Sequence, residues 1–242
     1  MKVVLVTGAG GGIGKAMVEA FHEGGYYVIG SDLACNRVTC DAFLACDLAE
    51  VAVDASAGEQ FAAALEQALD GRPLSALVNN AAAQILGRTP DISLDSFRRS
   101  LDINLVAPFR LSQLALRFLE PGGCVLNIGS VHATATKPGF VSYATSKATI
   151  HGLTRALAVD LGPQCRVICL APAATATEML VAGFKDNPAG LTQLGAVHPL
   201  NRVANPEEIA RMAVSLASEA HFCTGTTIYA DGGILSRLHD PE

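Results

Sequence analysis

The chain has 242 residues, half of them apolar and 17% charged, with a formal net charge of −6. This is the composition of a globular protein with one sizeable core, and it excludes a disordered or coiled chain. It also excludes a basic surface for nucleic acid, since Lys and Arg are scattered singly apart from Arg98-Arg99, which reads as a solvated helix face.

Apolar runs of four to eight residues alternate with longer amphipathic segments, the pattern of βαβ units around a parallel sheet. The first strand is expected at 2–7. Its apolar run is too short for a signal peptide, and no stretch of ~18 uncharged apolar residues follows anywhere, so no membrane association is expected. Thr7-Gly8-Ala9-Gly10-Gly11-Gly12-Ile13-Gly14 comes next and opens a helix at 13–23. Glycines between a strand and a helix permit a tight turn and a close backbone approach to a pyrophosphate, which the helix N-terminus attracts. The second strand, 26–31, ends before Asp32, 20 residues after Gly12, where a carboxylate suits the two hydroxyls of an adenosine ribose and repels a 2′-phosphate. NAD is therefore expected rather than NADP, with Arg37 the one nearby cation able to reverse the preference.

Strands at 42–46 and 74–79 deliver Asp47-Leu48 and Asn79-Asn80-Ala81-Ala82 to the carboxyl edge of the sheet. Asp47 can accept from an adenine amino group, and Ala81 lets a cofactor lie against the backbone. Helices are expected at 57–70 and 94–119, then a strand at 123–129 leading to Ser130. The helix at 141–161 carries Tyr143 and Lys147, four residues apart and so on one face. A nearby ammonium favours phenolate over phenol and would lower a tyrosine pKa that ordinarily sits near ~10, making it an acid and base near neutrality. Ser130, thirteen residues before the tyrosine, is placed to hydrogen-bond the same reacting oxygen. His132 is expected to line a pocket or cap a loop, and His151 to pack against another subunit. No His/Cys/Asp spacing supports a metal site.

The strand at 165–170 contains two of seven cysteines, an odd number with no CxxC pair, which fits a reducing cytoplasm. The segment from Ala173 to Pro199 breaks the rhythm, with helical hints around 177–184, and is expected to be a lid. It offers Met179, Leu180, Val181, Phe184, Leu191, Leu194 and Val197 against Glu178, Lys185 and Asp186, so a mostly uncharged secondary alcohol or ketone is the expected substrate, with Arg202 the one candidate clamp for an anion. Asn205, Pro206 and Glu207-Glu208 start a helix at 206–218, and a last strand is expected at 226–230.

Together these motifs, with Asn104 and the closing Thr224-Gly225-Thr226-Thr227-Ile228-Tyr229-Ala230-Asp231-Gly232-Gly233, resemble the classical short-chain dehydrogenases/reductases over essentially the whole chain. The resemblance implies a single Rossmann-type domain, an α/β doubly wound parallel sheet of about seven strands with helices on both faces, assembled as a homotetramer or homodimer. It implies that Tyr143 is the acid/base, that Lys147 lowers its pKa and holds the nicotinamide ribose, and that Ser130 orients the substrate oxygen. The same resemblance makes the Asn104 backbone carbonyl the holder of a relay water, and Thr177 and Pro172 neighbours of the carboxamide. Two positions depart from the family pattern: Ala173 stands where glycine is usual, and Ile168 where asparagine is usual. Apolar faces on helices 94–119 (Leu101, Leu105, Phe109, Leu111, Leu114, Phe118) and 141–161 (Ile150, Leu153, Leu157, Leu161) are expected to supply the subunit contacts. Alternatives are an NADPH-dependent 3-oxoacyl reductase and a dinucleotide-binding protein without turnover.

Overall fold

A computed structural model describes residues 1–35 and 38–238. Seven parallel strands are arranged in the order β3-β2-β1-β4-β5-β6-β7. They are β1 (Val3–Thr7), β2 (Tyr27–Asp32), β3 (Ala42–Ala45), β4 (Leu74–Asn79), β5 (Leu119–Ile128), β6 (Cys165–Pro172) and β7 (Thr227–Ala230). The chain leaves β1 toward β2 on one side and returns to β4 on the other, so the strand order reverses between β1 and β4. A crevice opens there at the carboxyl ends of the strands.

Strand alternation divides the core into two layers. Val3 and Leu5 of β1 pack with Phe61, Leu65, Leu111 and Leu157 on one face, while Val4 and Val6 pack with Met17, Phe21, Ile209 and Ala213 on the other. Helices α3 (Ala55–Leu69), α5 (Ala107–Ala115) and α6 (Val141–Leu161) cover the first face, and α1 (Gly12–Glu23) and α9 (Pro206–Ser218) the second. The expected start of α9 holds, including a capping box between Asn205 and Glu208. Buried Arg166 closes its far end by donating to the carbonyls of Leu216, Ala217 and Ala220.

Four elements differ from expectation. The helix over 94–119 is broken into α4 (Leu94–Leu101), a π-helical turn (Asp102–Val106) and α5. Pro108 has no N–H to offer the carbonyl four residues back, that of Asn104, and the helix widens at that point. The chain then turns early, and β5 begins at Leu119, paired with Leu74 ahead of a register shift. A short helix not anticipated, α2 (Leu48–Val53), starts on Asp47, whose carboxylate accepts the Ala49 N–H at 2.8 Å. In the lid segment, α7 (Glu178–Gly183) is joined by α8 (Pro188–Ala196). Asn187 and Pro188 are the cap and first residue of α8, with the Asn187 side chain accepting from Gly190.

The surplus apolar face is also smaller than expected, because Leu111, Leu114, Ile150, Leu157 and Leu161 all belong to the core, leaving Phe109 exposed. All seven cysteines are free thiols. Among the described residues no helix is long and apolar enough to cross a membrane.

Candidate active site

A cleft of about 920 Å³ runs along the carboxyl edge of the sheet, bordered by Gly8, Gly12, Ile13, Gly14, Asp32, Asp47, Leu48, Asn80, Ala81, Ser130, Tyr143, Lys147, Pro172 and Thr177. Of the residues expected to act in catalysis, Asn104 is not on its wall.

At one end the wall is backbone. Gly8 has φ of +64°, and a Cβ there would meet Ala81 Cα at 2.8 Å; a Cβ on Gly14 would run into the Gly8 carbonyl oxygen. The Thr7 hydroxyl accepts the N–H groups of Asn80 and Ala81, and the Asn80 side chain donates to the Thr7 and Gly8 carbonyls. The Asp32 carboxylate accepts the Gly10 N–H at 2.9 Å and its own neighbour's, Leu33, at 2.7 Å. Side-chain-free backbone at a helix N-terminus, edged by one fixed carboxylate, fits the phosphates and ribose of a dinucleotide. Arg37 lies outside the described residues. Ala173 is not among the residues with positive φ, so its methyl is accommodated without strain, and Ile168 is fully buried in the core.

At the other end, β5 delivers Ser130 in extended conformation, where its hydroxyl accepts the His132 N–H at 3.2 Å and faces the Tyr143 phenol. Lys147 is 4% exposed; its Nζ donates to the Ile128 carbonyl at 2.7 Å and sits 5.7 Å from the Tyr143 ring centroid. Burial pushes Lys147 down to about 8. The Tyr143 phenol is pushed up by burial, with the Ser130 hydroxyl pulling the other way. The expected lowering of the phenol by Lys147 is therefore corrected: desolvation of both groups outweighs an ammonium that is itself turned to a carbonyl.

Asn104 sits behind this pair. Its side chain accepts from Ala83 N–H at 2.7 Å and donates to the Ala83 carbonyl and Ser146 Oγ, both at 2.9 Å, while Ser146 Oγ donates to the Tyr143 carbonyl. The π-helical turn thus ties the loop after β4 to the turn of α6 that carries the tyrosine. A second buried ladder, Asn79 to Asn127 to Thr154, links β4 and β5 to α6. Sequence reasoning missed it, since an asparagine inside an apolar run carries no signal of its partner.

A family model described as Enoyl-(Acyl carrier protein) reductase matches residues 8–235. L-fucose dehydrogenase of Bos taurus is 36% identical, with 96% of this chain and 88% of that protein aligned. Carbonyl reductase [NADPH] 2 of Sus scrofa is 32% identical over 96% of each. The ligand-free structure of Thermoplasma acidophilum aldohexose dehydrogenase superposes with a TM-score of 0.91 at 30% identity, covering 100% of this chain and 96% of that one. The chain belongs to the classical short-chain dehydrogenases/reductases. It is an oxidoreductase of that family, which works with a nicotinamide cofactor.

The substrate end corrects the sequence reading further. From the segment 173–199, Met179, Leu180, Phe184 and Leu194 reach the cleft, whereas Val181, Leu191 and Val197 do not. Arg202 is not there either: it grips Glu208 with two bonds of 2.6 and 2.7 Å and borders a separate cavity of about 250 Å³. Gln84, Arg99, His132 and Lys137 line the cleft instead. Arg99, read as part of a solvated face, and His151, read as a subunit contact, are both relocated; His151 is buried beneath Gly129 and edges onto Tyr229.

Proposed function

We propose that the protein is an NAD-dependent dehydrogenase interconverting a secondary alcohol and a ketone. The observation that carries this reading is one cleft holding the Asp32 carboxylate, fixed by Gly10, at its adenosine end and Ser130, Tyr143 and Lys147 at the other. Residues of the glycine turn with Asp32, Asp47 and Asn80 would hold the dinucleotide, and Tyr143, Lys147, Pro172 and Thr177 its nicotinamide half. When bound, the nicotinamide takes or gives the hydride. In oxidation, Tyr143 Oη receives the hydroxyl proton of the alcohol while Ser130 Oγ hydrogen-bonds the same oxygen; in reduction Tyr143 returns the proton. Lys147, next to Tyr143 and bonded to Ile128, would offset by its positive charge part of the desolvation that disfavours the phenolate, and the Asn104 carbonyl offers a path for protons from solvent.

The apolar lid residues support a substrate with a mostly uncharged carbon frame. The named relatives act, by their names, on sugars and on carbonyl compounds. The segment 173–199 acts as a lid on a single domain. Seven free thiols support residence in the cytoplasm, and exposed Phe109 and Val159 support assembly of a homodimer or homotetramer. The test is a panel of cyclic, aromatic, polyhydroxy and aliphatic alcohols followed by cofactor absorbance with NAD and with NADP. A higher kcat/KM with NAD is expected, and Asp32→Ala should narrow the ratio by about 10- to 100-fold. A preference for NADP in the native chain would overturn the assignment in favour of an NADPH-dependent reductase.

A further inference from the structure

Although the protein is acidic overall, the charges along the cleft are sorted. Among the described residues its carboxylates, Asp32 and Asp47, both stand at the adenosine end, and no acidic side chain lines the substrate end. There the wall holds Arg99, Lys137 and the imidazole of His132 beside Lys147. Neither Arg99 nor Lys137 has a carboxylate partner among the described residues, in contrast to Arg202 and Arg98, which do.

Lys137 is held to the reacting centre by stacked rings. Its Nζ lies 4.8 Å from the Phe140 ring centroid; Phe140 stacks on His132 at 4.5 Å and 12°; and His132 meets the Tyr143 ring edge-on at 5.8 Å. His132 spends Nδ1 on Thr136 Oγ1 at 3.0 Å, which leaves Nε2 for another partner. The loop that carries Lys137 is fastened to the loop carrying Gln84 by the Gly87 N–H to Gly139 carbonyl bond of 2.9 Å. Phe140 also meets the Tyr143 ring edge-on at 6.2 Å, so one aromatic ring stands between the ammonium and the phenol, and a group attached directly to the carbinol carbon falls short of the ammonium.

We propose that Lys137, assisted by Arg99 and with the Gln84 amide and His132 Nε2 donating beside it, is a carboxylate-binding site, and that the substrate is a hydroxy acid whose carboxylate is at least two carbons from the carbinol carbon. The proposal rests on the dehydrogenase reading above and names the substrate class of that site; it replaces the mostly uncharged substrate, without an anion clamp, expected from the sequence. A carboxylate accepting from an ammonium in a cleft with no competing acid gains a charge-assisted bond that an amide of the same shape lacks.

The test uses 2-, 3- and 4-hydroxypentanoate, each against its carboxamide, with NAD and the full-length enzyme. The 3- and 4-hydroxy acids should exceed their amides in kcat/KM by about tenfold or more, and the 2-hydroxy acid should show less advantage. Lys137→Met should bring the acid-to-amide ratio toward one and Lys137→Arg should keep it. Arg202→Ala, which alters a cation outside the cleft, should leave the ratio in place. In parallel, pentanoate and pentanamide are titrated against the enzyme–NADH complex by NADH fluorescence, where tighter binding of pentanoate that disappears in Lys137→Met is expected. Oxidation of neutral alcohols with no acid advantage would overturn the clamp and leave the dehydrogenase reading standing. Absence of any alcohol oxidation would overturn that reading, and the fluorescence titration would then decide the clamp alone.

Discussion

The two ends of the cleft are built from different materials. The cofactor end is backbone against backbone, with Gly8, Gly14, Thr7, Asn80 and Ala81 meeting at distances that leave no room for one more carbon. The substrate end consists of long side chains on short helices and loops, exposed in Arg99, Lys137 and Met179 and half-buried in Leu180 and Phe184. A cradle of hard contacts fixes one ligand closely and tolerates no change. A wall of separate side chains can be re-specified one residue at a time.

Tyr143 stands where the two ends meet, and removing its hydroxyl gives the largest effect. Tyr143→Phe should lower kcat by about 10²- to 10⁴-fold while NADH binding, followed by fluorescence, survives; loss of binding with turnover would mean that the ends are not separable. Within the cradle, Gly14→Ala forces the Gly8 carbonyl to move and should cost about 3 kcal/mol or more in urea unfolding, with loss of NADH affinity. An alanine there with native stability and affinity would break the comparison.

Lys147 sharpens it by pH. Its folded pKa of about 8 lies below its ordinary 10.5, so the folded state binds fewer protons than the unfolded one between those values. Its burial cost of about 3 kcal/mol is thus fully present below pH 8 and disappears as pH rises toward 10.5. Cofactor-free Lys147→Met should be more stable than the native chain at pH 7, and the gap in urea unfolding should close by pH 10.5. A gap independent of pH would show that the cost is not that of a buried charge. The smallest effect belongs to the lid, where Phe184→Ala should raise KM several-fold and move Tm by less than about 4 °C, since half-buried Phe184 contributes little to the core.

This division also explains what could be read in the sequence. The glycine turn, Asp32, Ser130, Tyr143 and Lys147 were legible because tight turns and helical spacing leave a local mark, and all of them line one cleft. The break at Asp102–Val106 was available in principle from Pro108, but an apolar pattern continuing through it concealed the change of pitch. Helix α2 is only six residues long, too short for a periodic signal. Arg202 was misjudged, and Lys137 not singled out, for a different reason. Whether a cation is free depends on what folds against it: Glu208 claims both arms of Arg202, while the loop before α6 turns Lys137 toward the cleft. Burial likewise reversed the shift expected for Tyr143, because charge spacing is written in the sequence and desolvation is not.

One small hydroxyl has a mechanical consequence. Thr7 Oγ1 accepts from both Asn80 and Ala81 and donates to the Val78 carbonyl, so the ends of β1 and β4 are fastened together where the strand order reverses. The floor of the crevice therefore has a fixed width, and the molecule behaves as a vice with one stationary jaw. On the proposed function, compliance to admit and release ligands would come from the opposite jaw, the two short helices between Ala173 and Pro199.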